Sequence, residues 1–146
     1  DIPQIKRIVK AKLTAQNLLF VGNLNLDPEE GHFFRKIGIQ NINREKLKKE
    51  KKVALRKIKE FIFSHQFLHV SFDIDALDAK VAPATGIPAK DGLMLEEVFP
   101  ILEVASSHPN LSLDLVEVNP TKKGAQKTIK VARKILRTLV GARFSQ

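Results

Sequence analysis

The chain of 146 residues contains no cysteine, no tryptophan and no tyrosine, and only one methionine. Without cysteine it can form no disulfide, no thiolate metal site and no cysteine nucleophile. The only aromatic residues are nine phenylalanines on apolar stripes, so no platform for stacking nucleic-acid bases is visible. No apolar run is long enough to cross a membrane, and the start is not a signal peptide, which predicts a cytoplasmic protein.

The composition that remains is typical of one globular domain with a real core, because 43% of the residues are hydrophobic. The net charge of +9 is unevenly distributed. Residues 1–66 carry 15 Lys and Arg against 7 Asp and Glu, or +8, whereas residues 73–117 carry 2 against 9, or −7. This asymmetry suits either a cation site on a basic scaffold or a nucleic-acid-binding helix. Because the chain begins with Asp1 rather than Met, we expect it to be part of a longer one.

Apolar runs alternate with stretches of helical periodicity along the chain. This alternation predicts an α/β fold with a parallel sheet and right-handed crossovers. Pro100 should kink its helix or delay its start. The predicted strands are 17–22, 67–75 and 111–118, and the predicted helices are 2–13, 27–38, 44–65, 93–108 and 122–140.

The predicted helix 44–65 is strongly basic, with nine Lys and Arg in residues 44–59. One hypothesis is a helix that binds nucleic acid or another anionic surface. The alternative, which we favour, is the solvated face of a scaffold helix, since its apolar positions form one stripe.

Asp73 and Asp75 lie where the second predicted strand ends. On a strand, residues two apart point to the same side, so both carboxylates should face one direction. Ligands of open α/β sheets bind at this end of the strands, and hard oxygen donors favour magnesium or manganese. The alternative is a turn in which the acids, with Asp78 following, cap backbone amides.

Two further residues could belong to the same site. Glu117, near the end of the third strand, could pair with a planar guanidinium, although a strand-end acid more commonly pairs with a lysine. His69 shares strand parity with Asp73, but a lone strand histidine is more often a satisfied core residue.

Three segments resemble the arginase (ureohydrolase) superfamily in the order in which that family has them. They begin at Val21-Gly22 with Asp27-Pro28-Glu29-Glu30, at Ser71-Phe-Asp-Ile-Asp-Ala-Leu-Asp78 with Ala82-Pro-Ala-Thr-Gly-Ile-Pro88, and at Leu113-Asp-Leu-Val-Glu-Val-Asn-Pro120. The Asn119-Pro120 ending is more similar to arginases or formimidoylglutamases than to agmatinases. The resemblance covers only the C-terminal half of such an enzyme, so residues 1–146 would be the C-terminal portion of one three-layer α/β/α domain.

The resemblance implies a hydrolase that uses two manganese ions to cleave a guanidino or amidino group, most simply arginine to ornithine and urea. By position, Asp73 and Asp75 match metal ligands, and Glu117 matches the acid that faces the guanidinium. Asp27 and Glu30 match acids near the amino-acid end of the substrate. In the family the metals lower the pKa of a bridging water, and the resulting hydroxide attacks the guanidinium carbon. No catalytic residue beyond these ligands is expected in this half.

The sequence also departs from the family pattern. Ile87 stands in place of a threonine, Asp91 in place of a glycine, Met94 in place of a helix-capping Thr or Ser, and Asn25 in place of an aspartate. The remaining metal ligands and a proton-shuttling histidine belong to the missing half. We therefore predict no turnover by the chain alone, and a need for either the N-terminal half or further copies of itself as partner.

Two other functions remain open at this point. One is a non-catalytic member of the superfamily that acts in assembly or regulation, which the departures at Ile87, Asp91 and Met94 favour. The other, a basic nucleic-acid-binding module using residues 44–59, ranks well behind.

Overall fold

The computed structural model describes residues 13–23 and 26–141, so the predicted helix 2–13 (apart from Leu13) and Asn25 lie outside the described residues. Short 3₁₀ turns at Ala15–Asn17 and Ile74–Ala76 accompany the main elements. None of the helices in these ranges is long and apolar enough to span a membrane. In chain order the elements are β1 (Leu19–Val21), α1 (Pro28–Ile37), β2 (Gln40–Ile42), α2 (Arg44–Lys49), α3 (Lys51–Phe63), β3 (Leu68–Asp73), α4 (Leu95–Ser106), β4 (Leu111–Val116) and α5 (Ala125–Val140).

The strands pair in parallel, which confirms the α/β prediction, but in the described residues they form two separate ladders. β1 pairs with β2, and β3 pairs with β4 over six residues, with Asp73 opposite Val116. β2 was not predicted. It follows Gly38, whose φ of 77° ends α1, and its only local signal is a run of three residues with one buried isoleucine, Ile42.

One hydrophobic core joins both ladders to the helices. In β3, Leu68, Val70 and Phe72 pack toward this core, while the alternating residues of the strand are exposed. The helices contribute buried side chains spaced three or four residues apart, as expected for an amphipathic stripe. These are Ala54, Ile58 and Ile62 of α3, Val98, Leu102 and Ala105 of α4, and Ala132, Ile135 and Leu139 of α5.

The prediction of one long helix over 44–65 was wrong, because the helix breaks at Glu50, where φ is −126° and ψ is 39°. Residues 48–52 read Lys-Lys-Glu-Lys-Lys and contain no apolar side chain that could hold a continuous helix to the core. Like charges three and four residues apart also repel on a helix surface. The buried Leu47 anchors α2, and the buried Ala54 begins the stripe of α3.

Pro100 lies inside α4, and the helix starts five residues before it, at Leu95. Proline has no N–H, so the carbonyl of Glu96 loses its usual helical donor. The Nζ of Lys51 donates to that carbonyl at 3.3 Å. The start of α3 thus satisfies a group that the proline leaves unpaired.

Candidate functional site

Asp73 and Asp75 come together for a different reason from the one that strand alternation suggested. β3 ends at Asp73, and Asp75 lies in the 3₁₀ turn Ile74–Ala76 rather than on the strand. The side chain of Asp73 accepts a hydrogen bond from the Asp75 N–H at 3.0 Å, which caps the turn. Asp73 and Asp75 therefore lie next to each other as predicted, but a turn rather than a pleated strand sets their geometry.

Negative charge is concentrated around Asp75. Partial burial, a hydrogen bond with Asp73 and the charges of Asp73 and Glu117 raise the pKa of Asp75 to about 6. Glu117 lies beyond the end of β4, so three acids from two neighbouring strand ends act on one another. Such a cluster disfavours full ionisation unless a cation neutralises it.

The backbone conformation of Glu117 and the space around its carboxylate are both tightly constrained. It follows β4 with a φ of 66°, in the left-handed region that a non-glycine residue seldom adopts. Its carboxylate fills the space where a side chain on Gly86 would be, since a Cβ there would lie 2.7 Å from Glu117 Oε2. Within the described residues no lysine pairs with Glu117, and the nearby Lys122 donates to the Gly86 carbonyl at 2.7 Å.

The segment that carries Gly86 is fastened to β4 and to α5. The buried Thr128 accepts a hydrogen bond from the Ala84 N–H at 2.9 Å, and the Ala84 carbonyl accepts from the Asn119 N–H at 2.9 Å. Thr85 and Val118 form a bridge between the two segments. These contacts hold Gly86 beside Glu117.

Asp78 has a structural role. It is buried, and its carboxylate accepts a hydrogen bond from the Lys80 N–H at 2.8 Å, which lowers its pKa from the usual value. The amides of Asp91 and Gly92 also stabilise its charged form. Gly92 packs directly on this turn, since a Cβ would lie 2.3 Å from the Asp78 nitrogen. The alternative interpretation of the acids as turn caps is thus correct for Asp73, and Asp78 caps its own turn in the same way.

Asp73 and Asp75 supply only part of a metal site. Within residues 13–23 and 26–141, no group of three His, Cys, Asp or Glu side chains is placed to hold a metal ion. The two carboxylates have the donor chemistry that manganese or magnesium prefers, and their mutual repulsion would be relieved by a cation. Their donor chemistry fits such an ion, but two carboxylates are too few to hold it, so any further ligands would have to come from outside the described residues.

His69 is exposed, so the interpretation of it as a core histidine was wrong. Its Nδ1 lies 2.9 Å from Ser112 Oγ, and its Nε2 lies 3.0 Å from Asp114 Oδ2. Ser71 donates to the other oxygen of Asp114 at 2.8 Å. This network ties β3 to β4 and shares their exposed face with Asp73, but within the described residues no hydrogen bond joins it to Asp73, Asp75 or Glu117.

Asp27 and Glu30 lie at the start of α1, where both are exposed. Glu30 accepts a hydrogen bond from the Asp27 N–H at 3.1 Å, so the sequence pattern of an acidic helix start is borne out. The structure gives them a capping role, and their predicted role toward a substrate stays a prediction.

Several residues that shape the site were missed by sequence reasoning. Gly86, Lys122 and Thr128 shape the surroundings of Glu117 through contacts between residues 31 to 44 positions apart. No local sequence pattern predicts contacts of this kind. The departures behave differently from one another. Met94 begins α4 without a side-chain cap, while Glu97 still accepts from the Met94 N–H at 2.8 Å, and Ile87 is 80% exposed beside Gly86.

Comparison with known proteins places these features in context. A model of the arginase family matches residues 4–141. The chain is 31% identical to the mitochondrial arginase-2 of Rattus norvegicus, covering 99% of this chain and 43% of that protein, and 33% identical to an arginase of Schizosaccharomyces pombe, covering 96% and 46%. The arginase of Entamoeba histolytica, solved in complex with L-ornithine, superimposes with a TM-score of 0.83 at 26% identity, over 94% of this chain and 47% of that one. The chain thus spans less than half the length of each of these proteins.

Proposed function

The chain belongs to the arginase family, and we propose that it forms the C-terminal half of a manganese-dependent hydrolase of a guanidino substrate, with arginine the first to test. The observation that carries this proposal is the position of Asp75 beside Asp73 and Glu117, where partial burial and then these two acids raise its pKa to about 6. The fold brings three acids to neighbouring strand ends, where a cationic metal and a cationic substrate would both lower the electrostatic cost.

Asp73 and Asp75 are the proposed metal ligands. A bound divalent metal would supply Lewis acidity that lowers the pKa of a water molecule. The residues themselves orient the site: Asp73 keeps one carboxylate oxygen on the Asp75 amide and so holds the turn that presents both side chains.

Glu117 is the proposed partner of the guanidinium. A carboxylate can accept two parallel hydrogen bonds from that planar group, which sets its orientation as well as its affinity. Gly86 makes room for the Glu117 carboxylate, and Lys122 holds the carbonyl of Gly86. At the other end of the substrate we propose Asp27 and Glu30, in keeping with the match of Asp27-Pro28-Glu29-Glu30 to the family pattern.

We propose that a partner must complete this half before it can turn over substrate. The described strands form two separate parallel ladders over one core, and parallel sheets are usually continuous and covered on both faces. The ligand set is also short of a full site within the described residues. The partner would be the N-terminal half of the enzyme, with assembly into homo-oligomers as the alternative. The cytoplasmic location stays a prediction, since one relative is named as mitochondrial.

The test is complementation. We would co-express this chain with the portion of the Schizosaccharomyces pombe arginase that it does not match, purify the complex and measure urea released from arginine with and without Mn²⁺. The expected result is Mn²⁺-dependent release by the complex and none by this chain alone. A complex that forms but releases no urea would favour the non-catalytic alternative.

Two matched variants make the outcome specific. The double variant Asp73→Asn, Asp75→Asn should release no urea even with Mn²⁺ present, although the complex still assembles. Glu117→Gln should raise the KM for arginine and leave the affinity for Mn²⁺ nearly unchanged, because a neutral amide cannot form an ion pair with the guanidinium. Urea release by the isolated chain with Mn²⁺ would contradict the proposed need for a partner.

A further inference from the structure

Within the described residues, no strand pairs with the outer edge of β2. In the β1–β2 ladder the Ile42 carbonyl accepts from the Gly22 N–H at 2.8 Å, so the backbone of Ile42 is directed at β1. Residues alternate in this respect along a parallel strand, so the N–H and C=O of Asn41 point away from β1. In the described sheet β2 has no second strand beside it. An edge of this kind can pair with an incoming extended segment.

A groove runs along this edge between the ladder and the helices α2 and α3. Its volume is about 210 Å³. The floor is apolar and the rim is charged, which is the usual build of a site that takes side chains from a bound segment. The lining comprises Leu19, Gln40, Asn41, Ile42, Lys46, Glu50, Val53, Ala54 and Lys57.

Polar groups in the groove lack partners within the part of the chain that the structure describes. The side-chain oxygen of Asn41 is buried and accepts no hydrogen bond. The ammonium groups of Lys46 and Lys57 form no ion pair there, whereas Lys49 and Arg56 on the same helices each pair with a glutamate four residues away. The Asn41 oxygen is too buried for a ligand to reach, whereas the two ammonium groups are exposed and favour a ligand that carries carboxylates.

We propose that the β2 edge and this groove bind an extended acidic peptide segment of a partner protein, which adds to β2 as a further strand. The backbone of the segment pairs with Asn41, its apolar side chains enter above Val53 and Ala54, and its carboxylates meet Lys46 and Lys57. A nucleic acid could contact the lysines, but the residues that line the groove include no aromatic side chain for base stacking, and a nucleic acid cannot pair with a strand edge. The surface is separate from the clustered acids, which follow β3 and β4.

The probe is a fluorescein-labelled peptide of about eight alternating Glu and Val residues, blocked at both ends. Its binding to the full 146-residue chain would be followed by fluorescence anisotropy, and the site would be mapped by amide shifts in ¹⁵N spectra. We expect saturable binding with the largest shifts at residues 40–42, 46, 53 and 57. The same peptide with alternate backbone nitrogens methylated should bind about tenfold more weakly, since it cannot form one row of strand hydrogen bonds.

Two pairs of variants separate the strand edge from simple charge attraction. Asn41→Pro removes the outward N–H of an edge strand and should weaken binding severalfold more than Asn41→Ala, which keeps it. Lys46→Glu with Lys57→Glu should weaken binding about tenfold or more, while Lys48→Glu with Lys59→Glu, which change exposed lysines outside the groove, should have a much smaller effect. Equal binding of the methylated and unmethylated peptides, equal effects of the two lysine pairs, or no saturable binding would each overturn the proposal.

Discussion

The region around the clustered acids and the basic helices are held in different ways. In the region around the clustered acids, residues 73–93 and 117–128, side chains bond to backbone groups of distant segments, as Thr128 does to Ala84. In the basic region, helices α2 and α3, the ion pairs join residues four apart on exposed surface. The comparison shows that charge in the first region has a defined position, whereas charge in the second is mostly solvated and free to meet a partner.

The difference follows from burial. A buried or half-buried acid must find hydrogen bonds or a cation, so its neighbours are specified by the fold. An exposed lysine gains little from any one neighbour, because water and salt screen the pair. We therefore expect mutations around the clustered acids to change stability strongly and those in the basic region to change chiefly binding.

The largest effect should come from Gly92→Ala. The added Cβ would lie 2.3 Å from the Asp78 nitrogen and 2.4 Å from the Leu77 carbonyl carbon, and these backbone atoms cannot rotate away. We expect a loss of about 3 kcal/mol in the free energy of unfolding, measured by urea denaturation. Gly141→Ala is the control, since among the described residues, apart from its chain neighbours and the local helical backbone, no atom lies within 4 Å of its Cβ position. Equal stability of the two variants would contradict the close packing of this turn.

Next in size is Thr128→Val, which keeps the shape of the side chain and removes its hydroxyl. The Ala84 N–H, bonded to that hydroxyl at 2.9 Å, would remain buried without an acceptor. The expected cost is about 2 kcal/mol. Thr138→Val removes an exposed hydroxyl that bonds Lys134 within one helix and should cost far less. If both substitutions lower the free energy of unfolding equally, the hydrogen bond between Thr128 and Ala84 does not stabilise the fold more than an exposed one does.

The dependence of stability on pH should reveal the cluster around Asp75. Its folded-state pKa of about 6 lies above the ordinary value of 3.8, so the unfolded chain releases this proton first as the pH rises. Stability from this residue is therefore present at low pH and is lost between about pH 4 and pH 6.

Asp75→Asn should remove that slope and make the protein more stable than the parent above pH 6. Denaturation midpoints across this range provide the measurement. Asp78, whose pKa is lowered, acts in the opposite sense and only at lower pH, where its protonation destabilises the fold. A parent protein whose stability rises from pH 4 to pH 6, with Asp75→Asn making no difference, would rule out the clustered acids as its cause.

The smallest effect is expected in the basic region, for Glu45→Gln. The Lys49–Glu45 pair, at 2.7 Å, lies on exposed surface, so its loss should leave the denaturation midpoint unchanged within error at physiological salt. A shift as large as that of Thr128→Val would show that the helices α2 and α3 are held electrostatically, and the contrast between the two regions would no longer hold.

Much of the fold was predictable because its signals are local. Asp27 and Pro28 announce the start of α1, apolar spacing outlines α3 to α5, and the apolar run before Asp73 marks β3. The pairing of strands in parallel followed from their alternation with helices. The break at Glu50 and the three-residue strand β2 were missed. Their local sequence signals are weak, and their conformations are set by contacts with residues distant in sequence.

The candidate site was predictable as a set of acids but not as an arrangement. Asp73, Asp75 and Glu117 could be selected because carboxylates at the ends of buried strands need a cation or donors. The same reasoning could not predict three features of the arrangement. Asp75 belongs to a turn, Glu117 adopts a left-handed backbone, and His69 bonds to Ser112 and Asp114.

By itself the sequence determined the α/β class, the position of most helices and strands, and which strand ends carry acids, since helix periodicity, capping and strand burial act within a few residues. Only the tertiary structure decided that the strands form two ladders, that Gly86 yields its side-chain space to Glu117, and that the β2 edge faces a groove. These features arise where segments far apart in the chain compete for the same space and the same hydrogen bonds.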